Sequence, residues 1–218
     1  EIAQSECANE APFANYWLHN NHMLSNGTKI SKSLNNGYTL TDIYNKGYSA
    51  NDFRMLLLQS HYRTESNFSW DILQAAKNRL ANWGNIACLM WQITESSLNY
   101  SGQYTNAITK INDALSNDLD SPTALIEAEK ALNYAEENGV TEKTVNDFTK
   151  FLEHIQNALG LNILSKDINN YQKQILAKRK DARDNNNWQE SDILRNQLLE
   201  QGIEVKDTQI GQIWYHTK

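Results

Sequence analysis

The chain has 218 residues, of which 40% are hydrophobic and 21% are charged, and its formal net charge is −6 at pH 7. This length allows one large or two modest domains, and the acidic balance excludes a global basic field that would attract nucleic acid. No apolar run approaches the roughly 18 residues that a membrane-spanning helix needs. The two cysteines, Cys7 and Cys88, form neither a CxxC metal pair nor a disulfide framework, so we expect a reducing, cytoplasmic setting.

The N-terminal part of the chain predicts a small α/β piece. Residues 1–10 are expected to form a short helix, and the aromatic-rich stretch 13–24 is expected to form a strand. Asn26-Gly27 is a strong turn signal, and the polar loop Lys29-Ile30-Ser31-Lys32-Ser33 follows it. Its lysines and hydroxyl groups suit the phosphates of a nucleotide. A pattern this short more often marks a solvated turn, so its meaning depends on the neighbouring segments.

The middle of the chain, up to about residue 160, has a helical pattern. Ser49 and Asp52 form a capping box, Ser69 suits the N-cap of the next helix, and Ser121-Pro122 opens another with a capping hydroxyl before proline. Apolar residues at helical spacing mark the buried faces. They are Leu73, Ala76, Leu80 and Trp83; Leu125, Ala128, Leu132 and Ala135; Val145, Phe148, Leu152, Ile155 and Leu159; and Trp91, which is also expected in the core.

Residues 164–218 predict a small α+β module. Asn187 and Glu190 indicate a capped helix start. Residues 203–207 and 210–215 then alternate in polarity like two short strands. The module therefore combines helices with a small sheet.

Charge is distributed unevenly along the chain. Residues 112–153 hold ten acidic side chains and three lysines, which predicts a solvated helix face that repels a phosphate backbone. Residues 173–183 hold five basic side chains and one acid. This basic stretch is the local candidate for nucleic-acid binding. A solvated helix end favoured by the helix dipole is an equally good interpretation from charge alone.

Four segments, in this order and spacing, resemble the C-terminal half of the cysteinyl-tRNA synthetases, a family of class I aminoacyl-tRNA synthetases. They are EIAQSE at 1–6; NYWLHN at 15–20 with the loop at 29–34; HYR at 61–63; and the segment 182–214, which carries Ala182, Arg183, Asp184, Trp188, Asp192, Gly202, Asp207 and Trp214. The resemblance covers essentially the whole chain.

The resemblance implies a mostly α fold. A helical bundle would carry a small α/β remnant of the nucleotide-binding domain at its N-terminus and a small α+β module at its C-terminus. The implied units are 1–36, the end of the catalytic domain; 37–110, a stem-contact helical region; 111–163, a helical bundle of the anticodon-binding domain; and 164–218, an anticodon-recognition module.

In that family the loop that matches residues 29–33 is the KMSKS signature. The resemblance implies that Lys32 contacts the ATP phosphates and stabilises the transition state of adenylation, and that Lys29 assists. Ser31 and Ser33 would adjoin the same phosphates. Cationic groups near a departing pyrophosphate are what nucleotidyl transfer requires. Two positions depart from the signature: Ile30 replaces the usual Met, and Asn35 stands where the family usually has Gly.

Glu1 matches a glutamate that ligates zinc in the family, where the zinc binds the thiol of the substrate cysteine. The His and both Cys partners of that site are not in this chain, so we expect no bound metal here. Cys7 lies outside the ligand positions and is expected to be a small core residue. The family's HIGH-type ATP motif precedes the position of Glu1, so the isolated chain is expected to be inactive in forming cysteinyl-adenylate.

By position, Arg183, Trp188, Asp192 and Asp207 match residues around the family's anticodon contacts, and two further residues, Arg179 and Trp214, lie nearby. Splayed bases stack on aromatic or guanidinium planes and are then recognised at their polar edges. Other interpretations stay open. The two tryptophans would also suit the core of a small module, and Asp192 with Arg195 would suit an exposed helix pair.

The resemblance thus implies the C-terminal part of a cysteine–tRNA ligase. The parent enzyme would use ATP and zinc and bind the tRNA for cysteine. It would act in the cytoplasm as a monomer, and no membrane is expected as a partner. One alternative is a ligase that joins cysteine to an amino sugar, although such an enzyme has no use for an anticodon module. Another is a non-catalytic helical RNA-binding or interaction protein derived from a truncated synthetase.

Overall fold

A computed structural model of the chain describes residues 1–94 and 102–217. Helices dominate this part of the chain, which confirms the predicted mostly α fold. The helices are α1 (Ile2–Asn9), α2 (Leu40–Asn45), α3 (Ala50–Leu58), α4 (Trp70–Ala87), α5 (Gln103–Ser116), α6 (Ser121–Asn138), α7 (Val145–His154), α8 (Asn170–Asp184) and α9 (Trp188–Glu200). The strands are β1 (Met23–Ser25), β2 (Thr28–Lys29), β3 (Ser66–Phe68), β4 (Ile203–Thr208) and β5 (Gly211–His216). A 3₁₀ turn (Cys88–Trp91) continues α4, and a π-helical turn (Ile155–Leu159) continues α7.

Most of the predicted helix starts are confirmed by their capping bonds. The hydroxyl of Ser49 accepts a bond from the backbone N–H of Asp52, and the carboxylate of Asp52 accepts one in return. Ser69 caps α4. Helix α6 begins differently from the prediction, because the carboxylate of Asp120, one residue before Ser121, is the cap. A carboxylate also interacts favourably with the positive end of the helix dipole.

The strand predicted over residues 13–24 is wrong for most of its length. Only Met23–Ser25 forms a strand, which pairs antiparallel with β2 and parallel with β3. Residues 13–22 have no strand partner in the described parts of the chain, and the side chain of Tyr16 is 94% exposed. An aromatic pattern favours a strand, but the backbone becomes one only where a neighbouring strand completes its hydrogen bonds.

Helices α3 to α7 form most of the main core. All three predicted apolar faces are buried there, apart from the half-buried Val145. Aromatic side chains fill the centre, where the ring centroids of Tyr104 and Phe148 lie 5.0 Å apart and Trp83 is fully buried. Removing one such side chain from water contributes roughly 1.5–3 kcal/mol. None of the described helices is long and apolar enough to cross a membrane.

Two residues predicted in the core lie at the surface instead. Cys7 is exposed on α1, which buries none of its side chains. Trp91 is 41% exposed, because α4 ends at residue 87 and the 3₁₀ turn rotates the indole away from the buried face. The indole Nε1 of Trp91 donates a hydrogen bond to the carbonyl of Ser165.

The C-terminal module has a core of its own. Helices α8 and α9 pack on an antiparallel β4–β5 hairpin, in which Asp207 faces Gln212 and Val205 faces Trp214. The buried members of this core are Ile168, Ile175, Leu176, Leu194, Leu198, Ile203, Val205 and Trp214, together with Cys88 from the 3₁₀ turn. Residues 160–169 form an extended linker from the bundle into α8.

Candidate nucleotide loop and RNA-binding module

The polar loop at residues 29–36 is held by the side chain of Asn36. The amide nitrogen of Asn36 donates to the carbonyl of Lys29 at 3.1 Å, and its oxygen accepts from the backbone N–H of Ser31 at 2.9 Å. The Ser31 hydroxyl lies 3.2 Å from that of Ser33. Lys29 and Lys32 are exposed, and neither forms an ion pair with a described residue. The loop therefore has a defined backbone and two ammonium groups available to an anion.

The backbone of Asn35 explains how this chain tolerates a departure from glycine in the loop. Asn35 has φ +47°, in the left-handed region. Glycine enters this region without a steric cost, and asparagine is among the residues that enter it most readily after glycine. Asparagine therefore keeps the turn that carries Lys32.

The HYR segment contacts a single carboxylate, that of Asp118 in the loop between α5 and α6. The hydroxyl of Tyr62 donates to Asp118 Oδ1 at 2.5 Å, and Arg63 Nη2 donates to the same oxygen at 3.0 Å. The Nε2 atom of His61 lies 2.9 Å from the Asp118 carbonyl. The hydrogen bond from Tyr62, followed by the charge of Arg63, lowers the pKa of Asp118. Sequence reasoning placed Asp118 in a solvated acidic stretch, because nothing local indicates a partner more than fifty residues away.

In the C-terminal module, Arg179 is 1% exposed. It binds both carboxylate oxygens of Asp207, with Nη1–Oδ1 at 2.9 Å and Nη2–Oδ2 at 2.8 Å. Nη1 also donates to Gln212 Oε1 at 2.7 Å. The hydrogen bonds from Arg179 lower the pKa of Asp207. Sequence reasoning missed Gln212, which the observed β4–β5 hairpin places directly opposite Asp207.

The half-buried Arg183 and the exposed Trp188 form a platform beside this ion pair. Arg183 Nη1 lies 3.1 Å from Asp207 Oδ2, and its guanidinium carbon lies 5.3 Å from the centroid of the Trp188 ring. Trp188 is 54% exposed, so the alternative in which it is a core residue is wrong. A planar cation over an aromatic ring leaves a flat surface on which a base can stack.

The remaining predicted RNA contacts are divided between surface and core. Asp192 and Arg195 are exposed on α9 and line a groove of about 480 Å³ with Glu204. Trp214 is only 5% exposed. Its burial favours the core interpretation that the sequence left open, and the full burial of Arg179 leaves that residue no direct access to RNA.

A zinc site does not fit the described residues. Glu1 is exposed at the start of α1. No group of three or more His, Cys, Asp or Glu side chains in residues 1–94 and 102–217 is arranged to hold a metal ion. One carboxylate cannot complete the four ligands of a structural or substrate-binding zinc. We therefore derive no chemical step through zinc from this chain.

Models of known protein families match the two parts of the chain that carry the lysine loop and the arginine–aspartate cluster. The family model for the catalytic domain of class I (C) tRNA synthetases matches residues 1–78, which include the lysine loop and the HYR segment. These residues define the protein class as a class I aminoacyl-tRNA synthetase. The model for the anticodon-binding domain of cysteinyl-tRNA ligase matches residues 166–214, which include the arginine–aspartate cluster.

Curated relatives narrow the class to one family. The cysteine–tRNA ligase of Chlamydia pneumoniae is 34% identical over 97% of this chain and 47% of the relative. The corresponding ligase of Chlamydia caviae is 30% identical over 97% of the chain and 46% of the relative. That of Oceanobacillus iheyensis is 30% identical over the whole chain and 49% of the relative. The chain belongs to the cysteinyl-tRNA synthetase family. It spans about half the length of the curated relatives it matches.

Proposed function

We propose that this chain supplies the ATP-contacting loop and the tRNA-binding region of a cysteine–tRNA ligase. The observation that carries the proposal is the charged cluster within the matched anticodon-binding domain. There the buried Arg179 binds the carboxylate of Asp207, while the half-buried Arg183 lies between Asp207 and the exposed ring of Trp188. The resemblance further implies cytoplasmic, monomeric action, which forms part of the same proposal.

In the first step, the loop would act on the phosphates of ATP. Attack of a carboxylate on the α-phosphate releases pyrophosphate and builds negative charge on the departing oxygens. Lys32 and Lys29 present unpaired ammonium groups that can neutralise this charge, while Ser31 and Ser33 add hydroxyl donors. Asn36 and the left-handed Asn35 hold the backbone that carries these groups.

In the second role, the C-terminal module would select the tRNA by its anticodon. A base stacked on Trp188 and Arg183 would lie beside the Asp207 carboxylate, which can accept a bond from an amino group of the base. Because Arg179 occupies both oxygens from the buried side, the carboxylate is held ionised and in one orientation. Arg179 thus acts through Asp207 as a positioning residue.

Gel-shift titration with the tRNA for cysteine and with an anticodon mutant tests this role. We expect the wild-type chain to prefer the matched anticodon and Arg183→Ala to lose that preference. Lys178→Ala is the matched control, because Lys178 is an exposed basic residue on the same helix. Equal binding of both RNAs by the wild type, or equal losses in both variants, would reduce the site to a non-specific basic surface.

We also propose that the isolated chain does not form cysteinyl-adenylate. The 218 residues contain no His-x-Gly-His motif, the ATP-binding motif that the resemblance implies for the parent enzyme. An ATP–pyrophosphate exchange assay with cysteine checks this directly. Turnover that disappears in Lys32→Ala would contradict the proposal.

A further inference from the structure

The 3₁₀ turn that follows α4 ends at Gln92, whose side chain reaches across to the C-terminal module. Gln92 Nε2 donates to the carbonyl of Trp214 at 2.8 Å, and the backbone N–H of Trp214 donates to Gln92 Oε1 at 2.8 Å. Nε2 also donates to the carbonyl of Cys88 at 3.1 Å, which holds the side chain against its own turn. The amide of Gln92 thus pairs with β5 in the way that a neighbouring strand would.

This contact covers an edge of the two-stranded sheet. Strand β5 pairs with β4 on one side only, and an uncovered edge presents unpaired backbone N–H and C=O groups. Gln92 is half-buried and Trp214 is buried. Loss of the amide would therefore leave a backbone donor and a backbone acceptor of Trp214 without these partners, which is unfavourable for groups at a half-buried contact.

The 3₁₀ turn at residues 88–91 also contacts the linker that enters the module. Trp91 Nε1 donates to the carbonyl of Ser165 at 3.0 Å, and the Cys88 thiol lies 3.1 Å from the Ser165 hydroxyl. On the far side of the linker, His216 Nε2 lies 2.8 Å from the carbonyl of Lys166. Residues 88–92 thereby contact both the entry to the module and its last strand.

We propose that Gln92 is a positioning residue that sets the orientation of the RNA-binding module relative to the helical bundle. This inference rests on the proposed tRNA-binding function. One RNA molecule can contact both the module and the bundle only if the two are held at a matching angle and distance. Gln92 touches no RNA in this scheme, and it acts entirely through the backbone of Trp214.

The test compares two RNAs, the whole tRNA for cysteine and a hairpin that contains only its anticodon arm. Gln92→Met keeps the length of the side chain and removes both hydrogen bonds to β5. We expect this variant of the full chain to bind the hairpin like the wild type and the whole tRNA about tenfold more weakly, because simultaneous engagement is lost. The control is Gln156→Ala, which alters an exposed glutamine of the π-helical turn.

A second variant keeps the test decisive if Gln92→Met reduces the helical circular dichroism signal. Trp91→Phe retains an aromatic ring and removes only the bond to Ser165. It should show the same selective loss on whole tRNA, with a smaller amplitude. Equal losses on both RNAs, no loss on either, or wild-type binding that is no tighter to whole tRNA than to the hairpin would each overturn the inference. Failure of the wild type to bind either RNA would instead overturn the proposed function.

Discussion

The lysine loop and the C-terminal module present their functional groups in opposite ways. In the loop, Lys29 and Lys32 are exposed, and the segment that carries them is held by the short β1–β2 pairing and by the side chain of Asn36. In the module, Asp207 is bound by a buried arginine and lies on a hairpin packed against two helices. The side chains of the C-terminal cluster are therefore held in place by buried contacts, whereas the loop holds two exposed ammonium groups on a short, surface segment.

The segment before the loop strengthens this contrast. Residues 13–22 expose Tyr16 and leave Trp17 45% exposed, so aromatic side chains suited to a core lie at the surface. The module leaves Trp188 exposed beside Arg183, while its other tryptophan is buried. Exposed aromatic residues thus lie on a segment without a strand partner in one region and beside a charged cluster in the other. Four measurements test this contrast.

The largest expected effect follows from removing the buried arginine of the module. Arg179→Met leaves the Asp207 carboxylate without its bidentate partner, and we expect a loss of about 3 kcal/mol in the free energy of unfolding. Urea denaturation followed by circular dichroism measures this loss. Lys178→Met, on the exposed side of the same helix, should stay within about 0.5 kcal/mol of the wild type. Similar small effects for both variants would mean that the ion pair does not organise the module.

The next effect concerns the exposed platform. Trp188→Ala should weaken binding to the tRNA for cysteine about tenfold, since stacking of one base on an aromatic ring contributes about 1–3 kcal/mol. The unfolding free energy should not change, because the ring is exposed. Fluorescence anisotropy with labelled tRNA reports the affinity, and Trp188→Phe should retain most of it. A loss of stability with unchanged affinity would reassign Trp188 to a structural role.

A third prediction concerns pH. The pKa of Asp207 is lowered in the folded protein by Arg179, so its ionised form stabilises the fold at pH values above the unfolded pKa of about 3.9. That stabilisation is lost as the pH falls through the lowered native pKa. The wild type should therefore be more stable than Asp207→Asn at pH 7, and the difference should shrink as the pH approaches 3.

Urea titrations at several pH values measure that difference. Asp192→Asn is the control, because Asp192 is exposed and has no ion pair with a described residue. A gap between the wild type and Asp207→Asn that stays constant down to pH 3 would show that the Asp207 charge does not contribute to folding.

The smallest effect belongs to the loop. Asn35→Ala forces a side chain without a local hydrogen-bonding group into the left-handed region, at a local cost of about 1 kcal/mol. Amide hydrogen exchange at residues 29–36 should accelerate in this variant, while the bundle stays protected. Asn35→Gly should keep exchange close to that of the wild type. Faster exchange in Asn35→Gly than in Asn35→Ala would mean that the turn is not held by its backbone conformation.

Much of the fold followed from local patterns. The capping box of Ser49 and Asp52 and the three apolar helix faces needed only spacing and side-chain chemistry, and they are confirmed. Local reasoning failed where a contact or a helix end decided the outcome. Of the strand predicted over 13–24, residues 13–22 lack a strand partner in the described parts of the chain. Trp91 lies at the surface because α4 ends before it, and the Asp120 cap precedes the predicted one by one residue.

The residues of the candidate sites also differ in whether a local sequence pattern could identify them. The lysine loop and the segment around Arg183 and Trp188 are contiguous patterns, so the family resemblance could identify them, and their roles stay predictions for the experiments above. Partners distant in sequence, such as Asp118 for the HYR segment and Gln92 for Trp214, leave no local pattern. The identity of one residue does not indicate which distant residue will contact it in the folded protein.

Sequence alone thus determined the family of this protein, its helical class and the identity of its charged and aromatic candidates, because spacing and residue chemistry are local properties. Which of these candidates are accessible depends on the tertiary structure. It buried Arg179 and Trp214, left Trp188 exposed, and joined the module to the bundle through Gln92. Burial and long-range hydrogen bonds depend on how distant segments pack.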